Sequence, residues 1–159
     1  MATTTWIPLG TITLPTSNSA ISFNNIPSDY TDLILVGRYT STVNAQGSFT
    51  VNSNSSGYNA SFLYGAASTL AASNYTGATG INIAAGFTIT STNGLFFMIT
   101  LRDYANTNKV KSGEVLSGSA RGEGILNLAF AWTQTTAVNK VTVTAPFAAG
   151  ARFDLYGVH

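Results

Sequence analysis

No stretch of ten residues in this chain repeats its apolar positions at the 3.6-residue spacing of an amphipathic helix. Short runs rich in β-branched and aromatic residues recur instead, separated by clusters of Gly, Pro, Asn and Ser. That pattern leaves an all-β fold. Strands are expected at about Trp6–Leu14, Ala20–Asn24, Asp32–Thr42, Ser48–Asn52, Ala60–Tyr64, Ile81–Ile83, Phe87–Thr90, Leu95–Asp103, Lys109–Ser117, Ile125–Thr133, Val138–Thr144 and Arg152–Val158. Many short strands with regular turn signals predict an antiparallel, jelly-roll-like β-sandwich. A single domain over residues 1–159 is expected, its first 15 residues or so forming an N-terminal arm or strand. The segment 65–80, "GAASTLAASNYTGATG", is small-residue-rich and is expected as an exposed excursion between strands.

Three of the runs are apolar on both strand faces: "LILV" at 33–36, "LFFMITL" at 95–101 and "ILNLAFAW" at 125–132. A half-buried strand alternates, because successive side chains point to opposite faces. Leu33, Ile34, Leu35 and Val36 therefore need a cover on both faces. Long loops or a neighbouring subunit would supply it, and these residues are candidates for an oligomer interface.

Charge is scarce. Only 8% of residues are Asp, Glu, Lys or Arg, against roughly a quarter in an average soluble protein. The polar surface must be Thr, Ser and Asn, which suit strands and turns. A weakly charged sheet protein risks edge-to-edge association unless it lives inside an assembly. The formal net charge is +1 and the basic residues do not cluster, so nucleic acid is not an expected partner. No apolar run is long enough to span a membrane, and "MATTTWIPLG" lacks the form of a secretory signal. There is no cysteine, which excludes disulfides and thiol chemistry.

The residues offer little for catalysis. The one histidine is His159, and no His/Cys cluster suits zinc. The six carboxylates are Asp29, Asp32, Asp103, Glu114, Glu123 and Asp154. A glycosidase needs two of them opposed across a sugar; Asp103 and Glu114 are a pair that could converge, but each carboxylate sits where a turn or strand end gives it a structural role. "DYTD" lacks the oxygen-ligand spacing of a calcium loop. "GSARGEG" (Gly118–Gly124) matches neither a P-loop nor a dinucleotide fingerprint and is expected as a hairpin loop. No catalytic residue, metal or cofactor is expected. Tyr58, Tyr64 and Tyr75 lie in or beside polar, Asn-rich loops. A tyrosine ring pairs an apolar body with a polar tip, so these three are candidates for contact with a sugar or a partner.

Several segments, in order, resemble a known group. "FNNIPSDYTDLILVGRYTS" is similar to a turn of the form IPS-x-YT-x-L that opens an apolar strand. "LRDYANTNKVKSGEVLSG" is similar to a D-Y-A-x-x-N-K stretch. "AWTQTTAVNKVTVTAPFAAGARFDLYGV" is similar to an ending in which a Trp segment precedes a closing F-x-LYG strand. Together they resemble small bacteriophage virion proteins, over most of the chain from about Ala20. The resemblance implies a non-enzymatic β-sandwich on the particle exterior, assembled as a homo-oligomer, a trimer. It implies either a capsid decoration protein bound to the major capsid protein, or a tail-fibre or baseplate component bound to other tail proteins or to a host surface glycan. No shaft or coiled-coil segment is visible, which favours decoration. A secreted carbohydrate-binding domain is the alternative outside that group. The middle of the chain departs from the pattern. "VNSNSSGYNASF" lacks the group's acidic turn residue, and with it any carboxylate-dependent ligand contact.

Overall fold

A computed structural model describes residues 5–66, 68–119 and 124–159. Glu123 and most of the stretch 118–124 lie outside them. The described residues form strands β1 (Trp6–Thr13), β2 (Asn18–Phe23), β3 (Asp32–Tyr39), β4 (Ser48–Val51), β5 (Tyr58–Ala66), β6 (Thr69–Ala78), β7 (Ile81–Asn82), β8 (Leu95–Arg102), β9 (Lys111–Ser119), β10 (Gly124–Trp132), β11 (Val141–Phe147) and β12 (Arg152–Val158). They make a sandwich of two antiparallel sheets, as the turn pattern predicts. The larger has eight strands in the order β1-β12-β3-β8-β9-β10-β5-β6, and the smaller four in the order β2-β11-β4-β7.

The core fills the space between the sheets. Leu33, Leu35 and Tyr39 of β3, Phe97 and Ile99 of β8, and Leu128, Phe130 and Trp132 of β10 face Val51, Val143 and Phe147 of the small sheet, all buried. Gly37 sits in the same inward phase, where the rings of Phe97 and Phe153 occupy the place of a side chain. A Cβ there would lie 2.3 Å from the Phe97 ring and 2.9 Å from the Phe153 ring.

Two sequence expectations fail here. The segment 65–80 is not an excursion: its middle is β6, paired along its length with β5. On this edge strand only Ala71, Tyr75 and Ala78 are even half-buried, and the rest is exposed Ala, Ser, Thr, Asn, Gly and Leu, so no apolar alternation marks it. Conversely, Phe87–Thr90 is not a strand; it contributes only an isolated bridge between Ile89 and Ala45. Its apolar residues belong to an irregular cap over 83–89, where Ile83, Ala84, Ala85, Phe87 and Ile89 are buried. The four-stranded sheet is too narrow to cover the larger one, and this cap fills the remainder. Ser117 Oγ of β9 donates to the Ile83 carbonyl at 2.7 Å, tying the cap down.

Candidate interaction face

The larger sheet has a second, outer face, and its side chains follow from the register. Across the centre, one row runs Val36–Met98–Leu116–Asn127–Leu63–Ala72. The next runs Arg38–Phe96–Gly118–Ile125–Gly65–Leu70. The exposed large apolar side chains Phe96, Leu116, Ile125, Leu63 and Leu70 therefore share one surface, spread over five adjacent strands. Glycines flank Ile125 on both sides, and its side chain lies over Gly65, where a Cβ would come within 3.2 Å.

The two halves of this face differ in charge. Asp32, Arg38, Arg102, Glu114, Arg152 and Asp154 all sit on β3, β8, β9 and β12. Arg102 bonds Glu114 at 3.0 Å and lies 3.9 Å from Asp32. Arg152 holds Asp154 at 2.9 Å, and Thr11 Oγ1 of β1 donates to the same carboxylate at 2.6 Å. The Arg152 hydrogen bond, with help from Thr11 and the Arg152 and Arg38 charges, keeps the Asp154 carboxyl below the usual range despite partial burial. By contrast β5, β6 and β10 carry no charged residue. No Asp, Glu, Lys, Arg or His occurs anywhere between Arg38 and Arg102.

On the uncharged half lies an open hollow of about 480 Å³, lined among others by Ser61, Leu63, Ala72, Asn74, Asn127 and Ala129. Its floor is low because Ala129 and Ser61 are small and directly opposite one another.

The predicted contact residues sit elsewhere. Tyr58 is fully buried; its ring stacks on Trp132 at 6.3 Å between centroids. Its hydroxyl accepts from the Val51 N–H at 2.9 Å and donates toward the Asn54 carbonyl at 3.2 Å. It has no surface to offer a sugar. Tyr64 is half-buried, its ring against Gly86 of the cap, where a Cβ would lie 2.1 Å away. Gly86 also has φ +89°, so two constraints require glycine there. Tyr75 packs on Phe62 and accepts from the Asn82 N–H at 3.2 Å. All three rings turn inward, under the cap and the small sheet.

Of the four β3 candidates, Leu33 and Leu35 point into the core and are 2% exposed. They cannot form an interface. Ile34 points outward, yet it is buried within the single chain, flanked by Tyr156 and Thr100 on the neighbouring strands. Only Val36 stays half-exposed, in a shallow hollow with Arg38, Phe96, Arg152 and Asp154. The second face of "LILV" is thus covered largely by its own sheet. The apolar surface left open lies further along, on the two other runs that lack alternation and on β9, β5 and β6.

The carboxylates are occupied separately. Asp103 binds Lys109 at 3.1 Å, while Glu114 binds Arg102. Asp32 accepts from the Asp103 N–H at 2.9 Å. Among the described residues no group of His, Cys, Asp or Glu is placed to hold a metal ion. His159 packs its ring on Tyr30 at 4.8 Å.

Sequence reasoning missed Lys111, which is completely buried at the start of β9. Its ammonium donates to the carbonyls of Asn106, Lys109 and Thr135, the last two at 2.9 and 3.0 Å. Three donors on three acceptors saturate it, and burial pushes its pKa down against the opposing Asp103 charge. It clamps two loops rather than presenting an amine. The only signal was its phase: Lys111 shares the inward register of Val115 and Ser117.

No family model matches the sequence, and no curated protein matches it. Among solved structures, the alginate lyase Aly36B is 13% identical with TM-score 0.39, covering 93% of this chain and 77% of that one. The marine PL-14 alginate lyase from Aplysia kurodai is 9% identical with TM-score 0.35, covering 84% and 70%. A functionally unknown protein from Saccharomyces cerevisiae is 9% identical with TM-score 0.27, covering 98% and 94%. At this level of likeness, what those names say the proteins act on stays with them.

Proposed function

We propose that this protein is a non-enzymatic structural component of a bacteriophage particle exterior, a capsid decoration protein that docks through the outer face of its larger sheet. The observation that carries the docking role is the exposed apolar set Phe96, Leu116, Ile125, Leu63 and Leu70 on a surface whose far half bears no charge. Contiguous exposed apolar surface marks interaction sites, and an uncharged one meets its partner with little ionic desolvation. The phage setting rests on the ordered motifs from Phe23 to the closing strand. Immunogold labelling of intact particles tests it. Label on the head supports decoration, label on the tail moves the protein to a fibre or baseplate, and label on neither sinks the virion reading. Ile125→Lys, at a site 64% exposed, should leave the fold intact and remove the protein from the head.

A second reading rests on the hollow. Asn74 and Asn127 line it with amide donors and acceptors and no charge, a lining that suits a neutral glycan. That would fit a host-binding tail component or a secreted carbohydrate-binding domain. Glycan-array binding lost in Asn127→Ala would favour it over decoration.

A further inference from the structure

The larger sheet has two edges, and they are finished differently. At one end β1 carries Pro8, which has no N–H to donate, and the register shifts between Pro8 and Gly10. Proline and bulges are standard protections of a sheet edge. The β1 end is also closed against the small sheet, where a Cβ on Gly10 would lie 3.3 Å from the Phe23 ring of β2. At the other end β6 has ten residues, no proline and no charge, and pairs on one side only. Its only register shift is at its far end, opposite Tyr58/Ala60. The small sheet reaches it only through its short edge strand β7, where the Asn82 N–H donates to the Tyr75 hydroxyl at 3.2 Å. In the small sheet the edges are the six-residue β2 and the two-residue β7. Thus β6 is the longest edge and the least protected.

We propose that β6 pairs with β6 of a second copy of this chain, antiparallel about a two-fold axis, so that two eight-stranded sheets become one. Unpaired backbone N–H and C=O groups in a row recognise another strand and little else. Three observations select a second copy. Because β1 is blocked, β6-to-β1 stacking into a filament is not available, and joining two like edges closes at a dimer. Neither β6 nor its neighbour β5 carries a charge, so self-pairing sets no like charges opposite one another. Leu70, at 79% the most exposed of the large hydrophobic residues, belongs to β6 itself and gains a cross-strand neighbour on pairing. The contact is two-fold; the trimer implied by the phage resemblance would need a different surface.

Size-exclusion chromatography with light scattering on the full chain tests the pairing. The expected mass is twice 16.6 kDa, falling to one chain on dilution. Ala72→Lys and Asn74→Lys place charges on exposed β6 positions and should each weaken the dimer at least about tenfold. Ala72→Glu should do the same alone, and an equal mixture of Ala72→Lys and Ala72→Glu should recover the doubled mass. Leu116→Lys, three strands inward, should leave the dimer intact. Circular dichroism on each variant reports that the sandwich is folded, and hydrogen exchange should show those amides of 69–78 that do not bond β5 protected only in the dimer. A wild-type protein that stays a single chain at the highest concentration overturns the proposal. So does a dimer that survives both lysine variants, or one that Leu116→Lys abolishes equally.

Discussion

The β1 end and the β6 end of the larger sheet are made of the same secondary structure and solve different problems. Around β1, β12 and β3, long charged side chains lie across the outer face and bond one another. Trp6 packs on Tyr156, Thr11 reaches Asp154, and even Ile34 is covered. Around β10, β5 and β6 the outer side chains are short or apolar and no charge is present. There the order comes from beneath, from Trp132, Tyr58, Phe62 and Tyr75 packing inward. One end is finished on its outer face and edge. The other is held from inside and leaves both open. A partner, whether a coat protein or a second copy, is expected at the open end.

That contrast can be broken most forcefully at Trp132. It is 1% exposed and stacks on Tyr58. Trp132→Ala should cost about 3–5 kcal/mol in urea unfolding, the range for emptying a large aromatic site in a core. Its indole N–H has no hydrogen-bond partner among the described residues, so the loss is one of packing. A cost below about 1 kcal/mol would mean that the uncharged half is not held from inside. Tyr58→Phe is the finer cut. It keeps the ring and removes the hydroxyl, leaving the Val51 N–H without its buried acceptor. About 1–3 kcal/mol should be lost. An unchanged midpoint would show that the hydroxyl contributes nothing to joining β5 to the β4 turn.

The parts legible in the sequence are those where one residue's environment repeats along the chain. Runs of β-branched and aromatic residues bounded by turn residues place β3, β8, β10 and β12 nearly to their ends, and the all-β sandwich follows. The lapses share a cause. β6 pairs with β5 along its length, and backbone pairing leaves little mark on a mostly exposed run whose half-buried positions are Ala71, Tyr75 and Ala78. The 83–89 cap is apolar because it fills a gap left by a narrow sheet, so it imitates a strand. For the tyrosines, polar neighbours in sequence suggested polar neighbours in space. In a hairpin, though, a ring beside an Asn-rich loop takes the inner or outer face by parity alone. Parity reverses with a one-residue slip. Of the three non-alternating runs, "LFFMITL" and "ILNLAFAW" carry exposed apolar side chains, Phe96 and Ile125, while "LILV" is covered within its own chain except at Val36.

The smallest effect should come from the finished end. Asp154 is hydrogen-bonded by Arg152 and Thr11, and its folded pKa lies below that of the unfolded chain. Its contribution is therefore fully present above the unfolded carboxylate value of about 3.9 and is lost as pH falls through the lower folded value. Asp154→Asn should remove that part of the acid dependence while moving the neutral-pH melting temperature by no more than a few degrees, because Arg152 is half-exposed and screened. Hydrogen exchange should localise the loss. On acidification the amides of β1 should open in the parent protein before those of β12, and Asp154→Asn should already show the open β1 at neutral pH. If β1 exchanges identically in parent and variant at every pH, the Thr11–Asp154–Arg152 chain does not hold that edge. The distinction between a closed end and an open one would then rest on Pro8, its bulge and the packing of Trp6 and Gly10.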